Sequence, residues 1–189
     1  MERLTADAER LIRKMSSTID DFRKFFRPDK EQRAFSAREQ VSAAIDLVRP
    51  SFEARGITFR LSAPEDVTLW GVPNEYSQVL LNLLINAKDA IVAAERAQGR
   101  IAISADRIFI PKAANTFVCI RVSDNGTVID ERIIGKIFEP YFTTKGDKGT
   151  GLGLTTVKEI IEENTGWIEI HAQKGAGTTF TAYLPLHQS

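Results

Sequence analysis

The chain has 189 residues, with 25 lysines and arginines against 25 aspartates and glutamates, and one cysteine. That length allows one domain with a buried core plus a short additional segment, whereas the balanced charge argues against broad contact with nucleic acid. A single cysteine excludes an intrachain disulfide. No apolar run approaches the roughly 18 residues of a membrane span, and the N-terminus is too polar for a signal peptide, so we expect a cytoplasmic segment without membrane contact.

Residues 2 to about 26 predict one long amphipathic helix. Its apolar positions recur four and three residues apart, as in helices that pack against other helices. Pro28 ends the helix because proline cannot continue it. We expect the apolar stripe to pack against the following domain or to form a homodimer through residues 4–26. Domain boundaries are predicted at 1–28 for this helix, 29–35 for a linker and 36–189 for the globular part.

Two further helices are predicted in the first half of the globular part. Ser36 is a favourable N-cap for a helix from residue 37 to about 54, and Gly56 is suited to end it. A second helix is predicted from residue 73 to about 96, with Asn74 as its N-cap.

The second of these helices carries a row of polar side chains on an apolar surface. Gln78, Asn82, Asn86 and Asp89 stand four, four and three residues apart, so they share one face. Unpaired buried amides cost roughly 1–3 kcal/mol each, so the row needs a partner. That partner could be protein or a ligand with its metal. Amides that cap neighbouring loops or face water are the alternative.

Alternating apolar residues predict short strands at 57–61, 67–70, 101–105, 117–123, 167–172 and 179–184. Cys119 lies in an apolar strand and is expected to be a small core residue. The last two strands are predicted to pair around the turn at residues 174–177. A sheet with helices on one face makes an α/β sandwich of two layers.

A glycine-rich stretch at residues 145–153 leads into a helix predicted from about 152 to 163. Glycines let an anion approach the backbone and a helix N-terminus supplies free N–H groups, which suits a triphosphate. A dinucleotide fingerprint would need glycine where Leu154 stands, and a P-loop would need Gly-Lys-Ser/Thr. A merely flexible loop is the remaining alternative.

Asp124-Asn-Gly126 follows a strand that is predicted to be buried. Such a carboxylate commonly turns the chain by bonding its own backbone. As a functional residue, Asp124 would accept the exocyclic amine of adenine, and this would favour ATP over GTP because a carboxylate only accepts hydrogen bonds.

In this order, the segments resemble the ATP-binding domain shared by bacterial histidine kinases, gyrase, the ninety-kilodalton heat-shock chaperone and the MutL mismatch-repair proteins. The resemblance covers about residues 34 to 186. The segments that carry it are 82–90 (similar to the N box), 124–126 (first glycine box), 137–145 (F box), 149–154 (second glycine box) and 175–180 (last glycine box).

The resemblance implies a Bergerat-type ATP-binding fold with a mixed, mostly antiparallel sheet, and it implies ATP and Mg²⁺ as cofactors. Asn86 would be the Mg²⁺ ligand with Asn82 beside it, and residues 143–151 would form a lid over the phosphates. Catalytic roles would fall to Asn82, Asn86 and Lys145. The implied nucleotide contacts are Asn86, Asp89, Asp124, Gly126, Ile129, Phe142, Thr143, Thr144, Lys145, Gly149, Thr150, Gly151, Leu152, Gly153, Leu154 and Thr178.

One position separates kinases from ATPases within this superfamily. The hydrolysing members carry a glutamate one turn before the metal-binding asparagine, where this chain has Asn82. An amide cannot take a proton from water at neutral pH, so the site is expected to bind and orient ATP without activating water. The pattern is similar to that of the kinases, which transfer the phosphoryl group to a histidine on another domain.

The N-terminal helix is consistent with a kinase. Residues 15–28 resemble the second helix of the dimerisation and phosphoacceptor hairpin of nitrogen- and dicarboxylate-sensing kinases. The partners implied are the phosphoacceptor histidine domain and a response regulator. His171 and His187 are interpreted as solvated surface residues, so this chain is not expected to phosphorylate itself.

Val128 departs from the family pattern, which normally has a second glycine there. If this position needed a positive φ, a β-branched residue would cost about 1–3 kcal/mol. A nucleotide-sensing interaction module without transfer activity is therefore the alternative function, and an ATPase of the chaperone or topoisomerase kind is a third.

Overall fold

The computed structural model describes residues 31–64, 67–146 and 149–186. The helix predicted for residues 1–28, and with it the predicted homodimer contact, lies outside the described residues. The helices are α1 (Ala37–Glu53), α2 (Pro73–Ala93) and α3 (Gly153–Glu163). The strands are β1 (Arg33–Ser36), β2 (Ile57–Ser62), β3 (Thr68–Gly71), β4 (Gly99–Ile110), β5 (Asn115–Asp124), β6 (Trp167–Gln173) and β7 (Gly177–Pro185).

The main sheet has five strands in the order β2-β4-β5-β7-β6, and β1 pairs with β3 in a separate two-stranded sheet. β2 and β4 are parallel, while the β4–β5, β5–β7 and β6–β7 pairs are antiparallel. The mixed, mostly antiparallel sheet that the sequence predicted is therefore confirmed, as is the final hairpin.

One face of the main sheet forms the core with the helices. Val118, Ile120 and Val122 of β5 are buried together with Leu80, Leu83 and Leu84 of α2 and with Val157 and Ile161 of α3. Alternate residues of β7 join them, because successive side chains of a strand point to opposite faces. The two-layer arrangement follows from this one-sided burial.

An aromatic cluster covers part of the opposite face of the sheet. Trp167 and Tyr183 are register partners and their rings stack with centroids 4.6 Å apart, and Phe117 meets Trp167 edge to face at 4.9 Å. Cys119, the register partner of Tyr183, is fully buried, and burial raises the pKa of its thiol. The predicted burial is correct, but Cys119 lies on this aromatic side because it alternates with the core residues Val118 and Ile120.

The ends of α1 follow the predicted capping pattern, whereas the start of α2 does not. The Ser36 hydroxyl accepts the Glu39 backbone N–H at 3.3 Å, and Gly56 after the helix has φ 71°. At α2, Val72 is the N-cap residue and Pro73 occupies the first helical turn, where its missing N–H costs no intrahelical bond. Asn74 is therefore inside the helix, and its prediction as the N-cap was wrong.

β1 and β4 differ most from the sequence prediction. β4 continues to Ile110 and remains paired with β5 up to Asn115. Residues 106–116, which lay between two predicted strands, are therefore mostly strand, and the connection is the 3-10 turn Pro111–Ala113, closed by Ala114 at φ 49°. β1 lies within residues predicted as linker or cap, because pairing with β3 was not visible in its own four residues. Among the described helices, none has the length and apolar character needed to cross a bilayer.

Candidate functional site

The connection from β5 to α3 contacts the same side of α2 at three successive turns. The start of α3 lies over Asn82, since a Cβ placed on Gly153 would be 3.4 Å from the Asn82 Oδ1. The loop before α3 reaches Asn86 through Lys145, and the loop after β5 reaches Ala90 through the Thr127 backbone N–H at 3.0 Å. From Asn82 to Ala90 the helix rises about 12 Å, which is enough to line a nucleoside triphosphate.

The polar row of α2 lies at the margin of the core. Gln78, Asn82, Asn86 and Asp89 are all half-buried, so each side chain is partly exposed to solvent. Among the described residues, every fully buried side-chain nitrogen or oxygen has a hydrogen-bond partner. Because solvent reaches these side chains, the row does not need a ligand to satisfy its polar atoms.

Lys145 joins the glycine-rich loop to α2. Its Nζ donates to the Asn86 Oδ1 at 2.9 Å and to the Asp89 Oδ2 at 2.7 Å. A second ammonium, that of Lys88, lies 3.8 Å from the other Asp89 carboxylate oxygen. The Asn86 amide oxygen is thus oriented toward a cation, and Asp89 supplies the negative charge beside it. The sequence placed Lys145, Asn86 and Asp89 in one site but did not predict their direct contact.

Asp124 is a buried carboxylate at the end of β5. The backbone N–H of Gly126 donates to its Oδ1 at 2.8 Å, and the Thr178 N–H also donates to this carboxylate. Burial raises the pKa of Asp124 to about 6, although both hydrogen bonds oppose the rise. The turn-forming role is confirmed, and the two oxygens retain capacity to accept a further donor such as an exocyclic amine.

Gly126 allows β5 to end directly against α2. A Cβ at this position would lie 2.3 Å from the Ala90 carbonyl carbon, which no side chain tolerates. In the last glycine box, a Cβ on Gly177, which has φ 114°, would lie 1.9 Å from the Asp124 carbonyl oxygen. The first glycine box is therefore required for packing between elements, a role that spacing alone did not indicate.

Asn125 is a structural residue of the site that the sequence analysis missed. Its Oδ1 accepts the Arg100 backbone N–H at 2.8 Å, and its Nδ2 donates to the Gln98 carbonyl at 3.0 Å. These bonds tie the Asp124 turn to the start of β4. The only available signal was an asparagine in a turn, where the type is common for local reasons.

Tyr141 is the second missed residue. Its N–H donates to the Gly151 carbonyl at 3.0 Å, so the residues before the glycine-rich stretch are joined to the residues just before α3. Tyr141 has φ 65°, an unusual conformation for an aromatic residue, and Gly151 has φ 67°. A Cβ on Gly151 would lie 2.4 Å from the Tyr141 backbone, so glycine is needed for this pairing.

The other predicted site residues fall into three groups. Thr143 accepts the Lys145 N–H at 3.1 Å and packs closely against Gly149, while Thr178 is buried with its hydroxyl 3.5 Å from the Thr127 carbonyl. Those that are half-buried against the core are Ile129, Phe142 and Leu154. Those that are exposed are Thr144, Thr150 and Leu152.

Two further predictions concern the backbone strain at Val128 and the exposure of the histidines. Val128 does not have a positive φ, so the expected strain at this position is absent. His171 is exposed on β6, as predicted, while His187 lies outside the described residues.

The sheet with helices on one face, and the β5–α3 connection packed along α2, define an ATP-binding domain of the type shared by histidine kinases and their relatives. Residues 71–188 match the family described as Histidine kinase-, DNA gyrase B-, and HSP90-like ATPase, and the chain belongs to this family. The family resemblance inferred from the sequence motifs is thereby confirmed.

The chain is similar in sequence to several sensor kinases. The chain is 36% identical over 154 residues to the sensor histidine kinase ZraS of Salmonella typhi, covering 81% of this chain and 31% of ZraS. It is 33% identical to the histidine-protein kinase AtoS of Escherichia coli strain K12, covering 93% of this chain and 28% of AtoS. The chain therefore spans about a third of the length of these relatives.

The fold is also similar to a solved kinase domain. The catalytic domain of histidine kinase ThkA superposes with a TM-score of 0.70 at 30% identity, and the match covers 82% of this chain and 98% of that domain. The architecture predicted from the motifs therefore agrees with that of a histidine kinase catalytic domain.

Proposed function

We propose that this domain binds Mg²⁺ and ATP and positions the terminal phosphoryl group for transfer to a histidine on a separate helical hairpin. The observation that carries the proposal is the contact of the Lys145 ammonium with the Asn86 amide oxygen on α2. This contact brings the glycine-rich stretch onto α2 close to the start of α3. The similarity to ZraS and AtoS supports the same activity for the whole protein.

The residues present fit a magnesium ion. The Asn86 Oδ1 already accepts a hydrogen bond from the cationic Lys145, so it presents an oxygen where a metal would need one. The described residues contain no cluster of three His, Cys, Asp or Glu side chains. A metal here would therefore take most of its ligands from phosphates and water, which is the usual habit of Mg²⁺. When bound, it would neutralise charge on the triphosphate.

The remaining roles follow from the positions of the loops. Asp124 would accept the adenine amine, with Gly126 and Thr178 beside it. The α3 N-terminus and residues 143–151 would bind the phosphates through backbone N–H groups and Lys145. The chain would hold and orient the reactants, and this is the main requirement of phosphoryl transfer.

Asn82 supports transfer to a protein histidine over hydrolysis. It lies beside the start of α3 and offers an amide, which cannot act as a base toward water. The proposed partners are the phosphoacceptor histidine domain of the same kinase and a response regulator. Val128 has no positive φ, so backbone strain there does not support the interaction module without transfer activity.

Isothermal titration calorimetry tests the nucleotide site. The native protein should bind ATP more tightly when Mg²⁺ is present, and Asn86→Ala should lose this Mg²⁺-dependent increase because the metal loses its protein ligand. Gln173→Ala, an exposed amide on β6, is the matched control and should behave like the native protein. Unchanged binding of Mg·ATP by Asn86→Ala would disprove the site.

A further inference from the structure

The Lys145 ammonium uses the oxygen that the proposed function assigns to the metal. Nζ lies 2.9 Å from the Asn86 Oδ1 and 2.7 Å from the Asp89 Oδ2. Asn86 and Asp89 are three residues apart on α2, so they form one small acceptor site on one face of the helix. The Lys145 ammonium contacts both acceptors, whereas Lys88 lies 3.8 Å from the other Asp89 oxygen.

An ammonium and a magnesium ion exclude one another at this site. Both need the Asn86 amide oxygen, and two like charges a few ångströms apart repel each other. Mg²⁺ also keeps a shell of water and phosphate ligands, which requires the space that the ammonium occupies. Binding of the metal and docking of Lys145 are therefore alternatives.

The backbone around Lys145 holds it in position to reach α2. The Lys145 N–H donates to the Thr143 Oγ1 at 3.1 Å, which forms a local turn. The Tyr141 N–H donates to the Gly151 carbonyl at 3.0 Å, so the backbone on either side of Lys145 is joined at these two residues. Between these constraints, the Lys145 side chain connects the segment to the acceptor site on α2.

We propose that Lys145 is an internal competitor for the metal position, docked on Asn86 and Asp89 when no nucleotide is present and displaced when Mg²⁺ and nucleotide bind. The inference rests on the proposed function. It predicts that the protein needs more Mg²⁺ to reach its metal-bound state than it would without this lysine, and that metal binding frees the segment that carries Lys145 from α2.

Calorimetric titration of ADP at a series of Mg²⁺ concentrations measures the competition. Lys145→Met keeps the length of the side chain and removes its charge. It should lower the Mg²⁺ concentration at half-maximal enhancement of ADP binding about two- to fivefold, the effect expected for one half-exposed ion pair. Lys136→Met, at an exposed lysine on a surface turn, is the control and should leave this midpoint unchanged.

Acylation of lysines in the nucleotide-free protein, followed by mass spectrometry, tests the contact directly. Lys145 should react more slowly than Lys136. Asp89→Asn should increase the rate at Lys145 because the ion pair at 2.7 Å is lost, and it should leave the rate at Lys136 unchanged. Equal rates at both lysines in the native protein would overturn the docked position.

The two measurements separate the inference from the proposed function on which it rests. An unchanged or higher Mg²⁺ midpoint for Lys145→Met, in a protein that binds Mg·ADP, overturns the competition alone. Absence of ADP binding by the native protein at every Mg²⁺ concentration overturns both.

Discussion

At the scale of single residues, the site depends on a carboxylate in an environment that disfavours its charge. Asp124 is 7% exposed, and burial raises its pKa from 3.8 to about 6. The N–H groups of Gly126 and Thr178 lower the pKa but do not offset the loss of water. Such a group is kept at a cost in stability, which is common where a side chain must meet a ligand.

The pKa of Asp124 predicts how stability depends on pH. Between pH 3.8 and about 6 the folded state retains the proton that the unfolded state has released. The contribution of Asp124 to stability is therefore full below pH 3.8 and is lost as the pH rises to about 6. The loss should approach roughly 3 kcal/mol.

Urea unfolding at a series of pH values measures this contribution. Asp124→Asn should remove the fall in the free energy of unfolding over this interval, because an amide does not titrate. Asp46→Asn, at an exposed aspartate of α1, should retain the fall. Identical pH profiles for the native protein and Asp124→Asn would contradict the assignment.

At the scale of secondary-structure elements, α2 organises the site because the connection from β5 to α3 contacts it at both ends. The Thr127 N–H bonds to the Ala90 carbonyl, and Gly126 lies against the same peptide group. Asn125 fastens the other side of this turn to β4. Asp124 is thus held between the helix and the sheet by backbone contacts.

Gly126→Ala should be strongly destabilising. The added methyl would lie 2.3 Å from the Ala90 carbonyl carbon, and backbone on both sides prevents an easy adjustment. We expect a loss of at least about 2 kcal/mol, measured by thermal or urea unfolding.

Gly135→Ala provides the comparison for this substitution, since no atom lies within 4 Å of a Cβ there. It should change the free energy of unfolding by no more than about 0.5 kcal/mol. Equal effects of the two substitutions would show that Gly126 does not pack on α2 as described.

At the scale of the whole molecule, the proposed activity requires a second domain that carries the acceptor histidine. The protein should therefore phosphorylate a supplied histidine hairpin in trans while releasing little free phosphate, because Asn82 cannot activate water. Transfer of radiolabelled phosphate from ATP measures the first property, and a phosphate-release assay measures the second.

Two controls define the transfer experiment. A hairpin whose histidine is replaced by glutamine should remain unlabelled, and Asn86→Ala should reduce transfer to the native hairpin. Steady phosphate release without transfer would favour an ATPase. Tight ATP binding without either reaction would favour a nucleotide-sensing module.

The local order of residues was sufficient to predict much of this protein. Periodicity located α1, α2, α3 and the final hairpin, because amphipathic patterns and capping residues such as Ser36 are properties of neighbouring positions. Spacing also predicted that Asn82, Asn86 and Asp89 share one helix face. The family followed from five short motifs that occur in the expected order.

Contacts between distant residues were decided only by the tertiary structure. The Lys145–Asn86 contact joins residues 59 positions apart, and Gly126 meets Ala90 across the gap between sheet and helix. Likewise, the extension of β4 and the pairing of β1 with β3 depend on partner strands. A sequence pattern indicates which face of a helix or strand a side chain occupies. The burial, the pKa and the ion pairs of that side chain depend on which distant residues pack against that face.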